Sequence, residues 1–91
     1  MSGMTFEAGN YKNITETGVV TAKSGVLLGF YVNSTSSGTI VFRDGGSSGT
    51  VMNGAITPAI GFHRFPAGFG VGGLHATIAN TMNVTIFYSP S

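Results

Sequence analysis

Two histidines and three carboxylates are the imidazole and carboxylate groups that this 91-residue chain could bring to a metal or catalytic site: His63, His75, Glu7, Glu16 and Asp44. There is no cysteine, which removes thiol nucleophiles, thiolate metal sites and disulfide staples together. A metal centre would need both imidazoles and a carboxylate, yet the two histidines fall in different expected strands with no short His-x-x-x-His spacing. A catalytic histidine comes with an orienting partner, and neither imidazole has one beside it in the sequence. His63 and His75 therefore read as strand-face or interface residues. The expectation is a non-enzyme with no catalytic residue, no metal and no cofactor.

Three other patterns have the outline of a site. Gly68-Phe69-Gly70-Val71-Gly72-Gly73 has the glycine density of a phosphate loop, but it leads into Leu74-His75-Ala76-Thr77-Ile78, a strand pattern, and no acidic residue follows. A dinucleotide fingerprint needs a helix there and an acid about 20 positions on, so the run reads as a bend at a sheet corner. Asp44 before two glycines has the look of half a calcium loop, but hard-cation sites gather several carboxylates. Its expected role is to start a turn by accepting hydrogen bonds from the next backbone amides. Asn-x-Ser/Thr triplets begin at Asn13, Asn33 and Asn83; with no basic and apolar leader at Met1-Ser2-Gly3-Met4, they read as chance products of an Asn- and Thr-rich chain.

Charge is scarce everywhere. Glu7, Lys12, Glu16, Lys23, Arg43, Asp44 and Arg64 are all the ionised side chains, whereas a soluble monomer commonly shows charge on a quarter or more of its surface. Gly, Ser, Thr and Asn must meet the solvent instead, which suits a surface made to be covered. The net charge of +1 comes from scattered cations. Nucleic-acid binding needs them clustered, so no nucleic-acid partner is expected. No stretch approaches the roughly 20 apolar residues of a membrane span, and a soluble product made in the cytosol is expected, wherever it finally resides.

The elements that must position these residues are strands. Fifteen glycines oppose helix, and no window carries an apolar period of 3.6. Period two is clear at Val26, Leu28, Phe30 and Val32, at Ile40 and Phe42, at Leu74, Ala76 and Ile78, and at Met82, Val84, Ile86 and Tyr88. Weaker strands are expected over residues 11–15, 18–23, 50–56 and 61–66. Asn33-Ser34-Thr35-Ser36-Ser37-Gly38 should close a hairpin, Asp44-Gly45-Gly46-Ser47-Ser48-Gly49 should turn, and Asn80-Thr81 should be a tight link between the last strands. About eight short strands at roughly ten-residue spacing predict an all-β fold, an antiparallel β-sandwich or jelly roll. Residues 1–9 lack alternation and are expected as an N-terminal arm, with residues 10–91 as a single β-sandwich domain. A chain this small buries under about two thirds of its unfolded surface, so assembly would add stability.

The aromatic residues point to that assembly. Phe30/Tyr31 and Phe87/Tyr88 are neighbours in strands, so each pair must send one ring into the core and offer the other outward. Interface centres are rich in aromatic rings and poor in charge. The interface candidates are Phe6, Tyr31, Phe62, His63, Arg64, Phe65, Phe69 and Phe87, with Arg64 as an anchor between rings. The rival is carbohydrate binding through exposed rings; against it, the chain has no Trp, the common sugar platform, and few acids to hold hydroxyls.

Gly29-Phe30-Tyr31-Val32-Asn33-Ser34-Thr35-Ser36-Ser37-Gly38-Thr39-Ile40, followed by Arg43-Asp44-Gly45-Gly46, resembles the small all-β virion proteins of tailed bacteriophages. The likeness continues through Thr57-Pro58-Ala59, Leu74-His75-Ala76-Thr77-Ile78 and Asn83-Val84-Thr85-Ile86-Phe87-Tyr88, covering residues 26–88 as a pattern of strands and turns without a catalytic motif. The resemblance implies a capsid decoration (cement) protein: a homo-oligomer, with a trimer favoured, on the outer capsid surface of the virion. Its partner there is the major capsid protein, whose shell it stabilises. The alternative within the resemblance is a tail, fibre or neck module that binds a receptor or glycan.

Overall fold

The structure is a computed structural model that describes residues 10–90. The expected arm, with Phe6, lies outside the described residues. Six strands run in chain order: β1 (Asn10–Ile14), β2 (Gly18–Thr21), β3 (Gly25–Asp44), β4 (Thr50–Val51), β5 (Gly61–Phe69) and β6 (Leu74–Pro90). The fold is all-β, and the strands join in one antiparallel sheet.

The frame is a ribbon of the two long strands. β3 and β6 pair from Gly25↔Pro90 at one end to Asp44↔Leu74 at the other. Each then carries two shorter strands on its free edge. β6 pairs β1 through Val84 to Tyr88 and β2 through Leu74 to Ala76. β3 pairs β5 through Gly25 to Val32 and β4 through Arg43 and Asp44.

The ribbon is folded back on itself. Phe30 and Phe42 belong to the same strand, yet their ring centroids are 5.4 Å apart. A straight strand, rising about 3.3 Å per residue, would hold them roughly 40 Å apart. The fold line is visible in the backbone: Ser37 in β3 and Asn80 in β6 both have positive φ, 56° and 63°, and Asn80 Nδ2 donates to the Ser37 carbonyl at 2.8 Å. Ser36 and Ser37 both oppose Thr81, an irregularity that lets the two strands turn together. Small polar residues suit this line, because a left-handed backbone penalises a branched or bulky side chain.

Folding the ribbon buries one face of each half against the other. Leu27, Phe30 and Val32 from the first half of β3 meet Ile40 and Phe42 from the second, with Leu74, Met82, Val84 and Ile86 of β6 completing the most deeply buried set. Each such side chain contributes roughly 1.5–3 kcal/mol on removal from water. Phe65 of β5 closes the core edge-on against Phe42, with centroids 5.4 Å apart.

The strand count differs from the sequence expectation for a definite reason. Residues 33–38 do not close a hairpin and Asn80-Thr81 does not separate two strands; both stretches are interior to β3 and β6. Their polar, glycine-containing sequence bends the chain rather than reversing it, since each has the other strand beside it to pair with. The turn at residues 44–49 is as expected, with Gly45 and Gly46 at φ 109° and 98°. β4 is shorter than the strand expected over 50–56. There the Asn53 carboxamide stands in for backbone, accepting from Phe42 N at 2.8 Å and donating to the Ile40 carbonyl at 3.2 Å. β5, in contrast, runs past Pro66 to Phe69; the proline falls where the pairing with β3 shifts register, between Arg64↔Gly29 and Ala67↔Leu27, a place where strands tolerate it.

Candidate interaction surface

The outward face of β1, β6, β3 and β5 collects what the sequence scattered. Alternation and register put Tyr11, Phe87, Gly29 and Arg64 in one transverse row, and Asn13, Thr85, Tyr31 and Phe62 in the next. Their neighbours Ile14, Val84, Val32, Ile86 and Phe30 point the other way and are buried. Tyr11, Phe62 and Tyr31 remain 72%, 56% and 42% exposed, so the surface is aromatic and open to solvent.

Local chemistry holds these rings in place. Gly29 has no side chain, and a Cβ there would sit 2.8 Å from Phe62 Cζ, so the Phe62 ring lies over the glycine backbone. It reaches Phe87 on the next strand, centroid to centroid 6.2 Å. Below the rings runs a carboxamide network. Asn13 Nδ2 donates to Asn83 Oδ1 at 2.8 Å and to Thr85 Oγ1 at 3.1 Å, and Asn33 Nδ2 reaches the same two acceptors at 3.1 and 3.2 Å. The three Asn-x-Ser/Thr triplets thus converge on one face. Each asparagine occupies an outward position of its strand, but only the pairing of β1, β6 and β3 brings them together, which is why they read as unrelated in the sequence. Arg64 is the one charged residue on this face among the described residues.

Compared with known proteins, the chain matches no family model, no curated protein and no solved structure.

The remaining interface candidates sit elsewhere. Tyr31, Phe62, Arg64 and Phe87 share the outward face, whereas His63 and Phe65 alternate inward along the same β5. His63 stacks on Phe30, 5.1 Å between centroids, and its Nε2 lies 2.8 Å from the Ala59 carbonyl. Phe69 is a core residue, only 6% exposed, because β5 ends by turning its last side chain under the fold. Of the adjacent pairs, Phe30/Tyr31 divides as alternation requires. In the second pair Phe87 faces out and Tyr88 packs partly against the core. Tyr11, the most exposed of these rings, was not singled out by the sequence, since it has no aromatic neighbour in the chain.

The opposite outward face is built by β2, β6, β3 and β4. Val19, His75, Arg43 and Val51 form its central row. Val19 and Val51 are about half exposed, while His75 between them is 95% buried and its Nδ1 has no hydrogen-bond partner. Burial and, secondarily, the neighbouring Arg43 guanidinium push the His75 pKa below its ordinary value of 6.5. The folded protein therefore holds a neutral imidazole, and the unfolded chain binds the extra proton. The stability that this group contributes is fully present above pH 6.5 and is lost as pH falls below it. The urea midpoint should accordingly drop more between pH 7 and pH 5 for the native chain than for His75→Gln; equal drops would show that another group is responsible.

Near Asp44, the carboxylate Oδ1 accepts from Gly70 N at 2.9 Å and so ties the turn after β3 to the glycine run after β5. The Gly68–Gly73 run serves this corner: it follows a strand, opens into another and is closed by Gly73 N donating to the Gly70 carbonyl at 3.0 Å. No group of three or more His, Asp or Glu side chains converges to hold a metal among the described residues.

Proposed function

We propose that this chain is a non-catalytic β domain that acts by binding: a structural protein of a tailed-phage virion, docking as a decoration (cement) protein on the major capsid protein and associating with copies of itself. The observation that carries this reading is the aromatic outward face, with three exposed rings and one charge. Such a surface costs free energy in water and recovers it when covered. The other outward face, with Val19 and Val51 about half exposed around Arg43, offers a second low-charge surface for the shell. The resemblance of residues 26–88 to virion proteins supplies the phage setting and the outer capsid location.

The finer architecture proposed is an eight-strand jelly roll. If β3 and β6 are each divided at the fold line, β1, β6, β3 and β5 form one four-stranded layer and β2, β6, β3 and β4 the other. The 5.4 Å contacts of Phe42 with Phe30 and Phe65 then lie between layers. Cement proteins need such a rigid frame, because they act through many repeated contacts on a shell under internal pressure.

A receptor- or glycan-binding module of a tail, fibre or neck is the second reading, favoured by the Tyr11 and Tyr31 rings beside the Asn13, Asn33 and Asn83 carboxamides. The deciding experiment adds purified protein to phage shells lacking decoration and measures occupancy by electron microscopy, with a glycan array run in parallel. Saturable, regularly spaced density on shells supports the cement reading. Empty shells together with a specific glycan signal would overturn it in favour of the second.

A further inference from the structure

We infer that the aromatic outward face packs against the same face of a second copy, about a two-fold axis that runs parallel to the strands between β6 and β3. This rests on the self-association in the proposed function and names its geometry, a two-fold contact in place of the trimer that the resemblance implies.

The row pattern is the argument. Across the sheet, one row reads Tyr11, Phe87, Gly29, Arg64 and the next reads Asn13, Thr85, Tyr31, Phe62. A two-fold axis along the strands keeps every row at its own level and reverses its order in the second copy. Tyr11 then faces Arg64 of the second copy, Asn13 faces its Phe62 and Thr85 faces its Tyr31. Phe87 faces Gly29 of the second copy, over which the Phe62 ring lies. Since Phe62 and Phe87 are already 6.2 Å apart within one chain, the centre of the contact becomes a cluster of four rings. Aromatic pairs of this kind contribute beyond their buried area. The edges place a guanidinium over an exposed phenol ring, a cation–π arrangement.

Charge selects this axis. Arg64 is the face's one charged residue among the described residues and lies on the β5 edge. With the axis along the strands, the two guanidinium groups sit on opposite edges, three strand spacings and one inter-sheet gap apart, roughly 17 Å. That exceeds the screening length of about 8 Å at physiological salt. An axis across the strands would leave both arginines on the same edge and lay the rings over the asparagine rows. The area is also sufficient. Four strands about 4.8 Å apart, from the five residues of β1 to the nine of β5 and averaging about eight, cover roughly 500 Å², so two copies bury about 1,000 Å², the lower bound of specific interfaces. A reversible dimer follows, not a permanent one.

Single cysteines test the geometry cleanly, because the chain has none of its own. Tyr11→Cys and Arg64→Cys chains should be mixed and treated with a bismaleimide spanning about 10 Å, the expected gap between packed sheets. The mixture should crosslink to a dimer and each variant alone should not, since like positions lie too far apart. In sedimentation equilibrium the native chain should show a monomer–dimer equilibrium, and Tyr31→Asp should be monomeric with an unchanged circular dichroism spectrum. A native chain that stays monomeric up to roughly 1 mM, a trimer, or crosslinking as strong in the separate variants as in the mixture would overturn the proposal. Shell occupancy by the same samples separates the two readings: a monomer that still decorates shells removes only the pairing, whereas loss of both removes the cement reading as well.

Discussion

Phe42→Ala should destabilise the protein by about 3–5 kcal/mol, enough to unfold much of a domain whose total stability is on the order of 5–15 kcal/mol. Phe42 is fully buried and its ring touches Phe30 from its own strand and Phe65 from β5. The loss combines the transfer of a large apolar side chain with a cavity at the point where the ribbon closes on itself. Urea denaturation measures it, and a double-mutant cycle makes it specific to the fold. Phe30→Leu and Phe42→Leu should be coupled by roughly 0.5–1.5 kcal/mol. Two residues twelve positions apart on an unfolded-back strand would show additive effects, and additivity would mean that the two halves of β3 do not meet.

Gly73→Ala should be the most damaging of the small substitutions, at roughly 2 kcal/mol or more from backbone strain and overpacking together. Gly73 has φ 88°, and an added Cβ would run into the Thr21 carbonyl oxygen and the Ala22 backbone. Both obstacles are main chain where β2 ends, so neither can swing aside. The substitution should lower the urea midpoint sharply while Gly54→Ala, whose Cβ meets nothing within 4 Å and whose φ is not positive, changes it little. Equal effects at the two positions would show that the corner between β5 and β6 is looser than its geometry requires.

Much of this was legible in the residues. Alternation identified Phe30, Val32, Ile40, Phe42, Ala76, Val84 and Ile86 as inward, and each is buried; it also put Val26 and Leu28 on that side, but the register shift between Leu27 and Gly29 buries Leu27 and leaves Val26 exposed. The Gly68–Gly73 run as a sheet corner follows from chemistry that acts within a few residues, and it holds; Asp44 does stand at a turn, but its carboxylate accepts from Gly70 N, 26 residues on, and not from the next amides, a partner that only the tertiary structure supplies. The candidate surface was half legible. Phe62, Arg64, Tyr31 and Phe87 stand out in the sequence, while Tyr11 does not and the three asparagines read there as chance triplets; His63 and Phe65 turn inward and Phe69 is core. What separated these cases was register across strands far apart in the chain. Asn13 and Asn83 are 70 residues apart and hydrogen-bonded, and no local pattern carries that distance.

The sequence by itself determined that this protein is built of strands, which side is apolar along most of them, and how few charges are available to its surface. These are properties of neighbouring residues: a two-residue side-chain period, glycine's cost in helices and the count of ionisable groups. Only the tertiary structure decided that residues 33–38 and 80–81 bend a continuous ribbon instead of ending strands. It alone also decided that four rings and three carboxamides share one face. The physical reason is that a strand leaves its backbone hydrogen bonds open on both edges, and whether a polar stretch turns the chain back or merely bends it depends on which partner fills them. Here β3 and β6 fill each other's from end to end, so the chain stays paired through its own fold line.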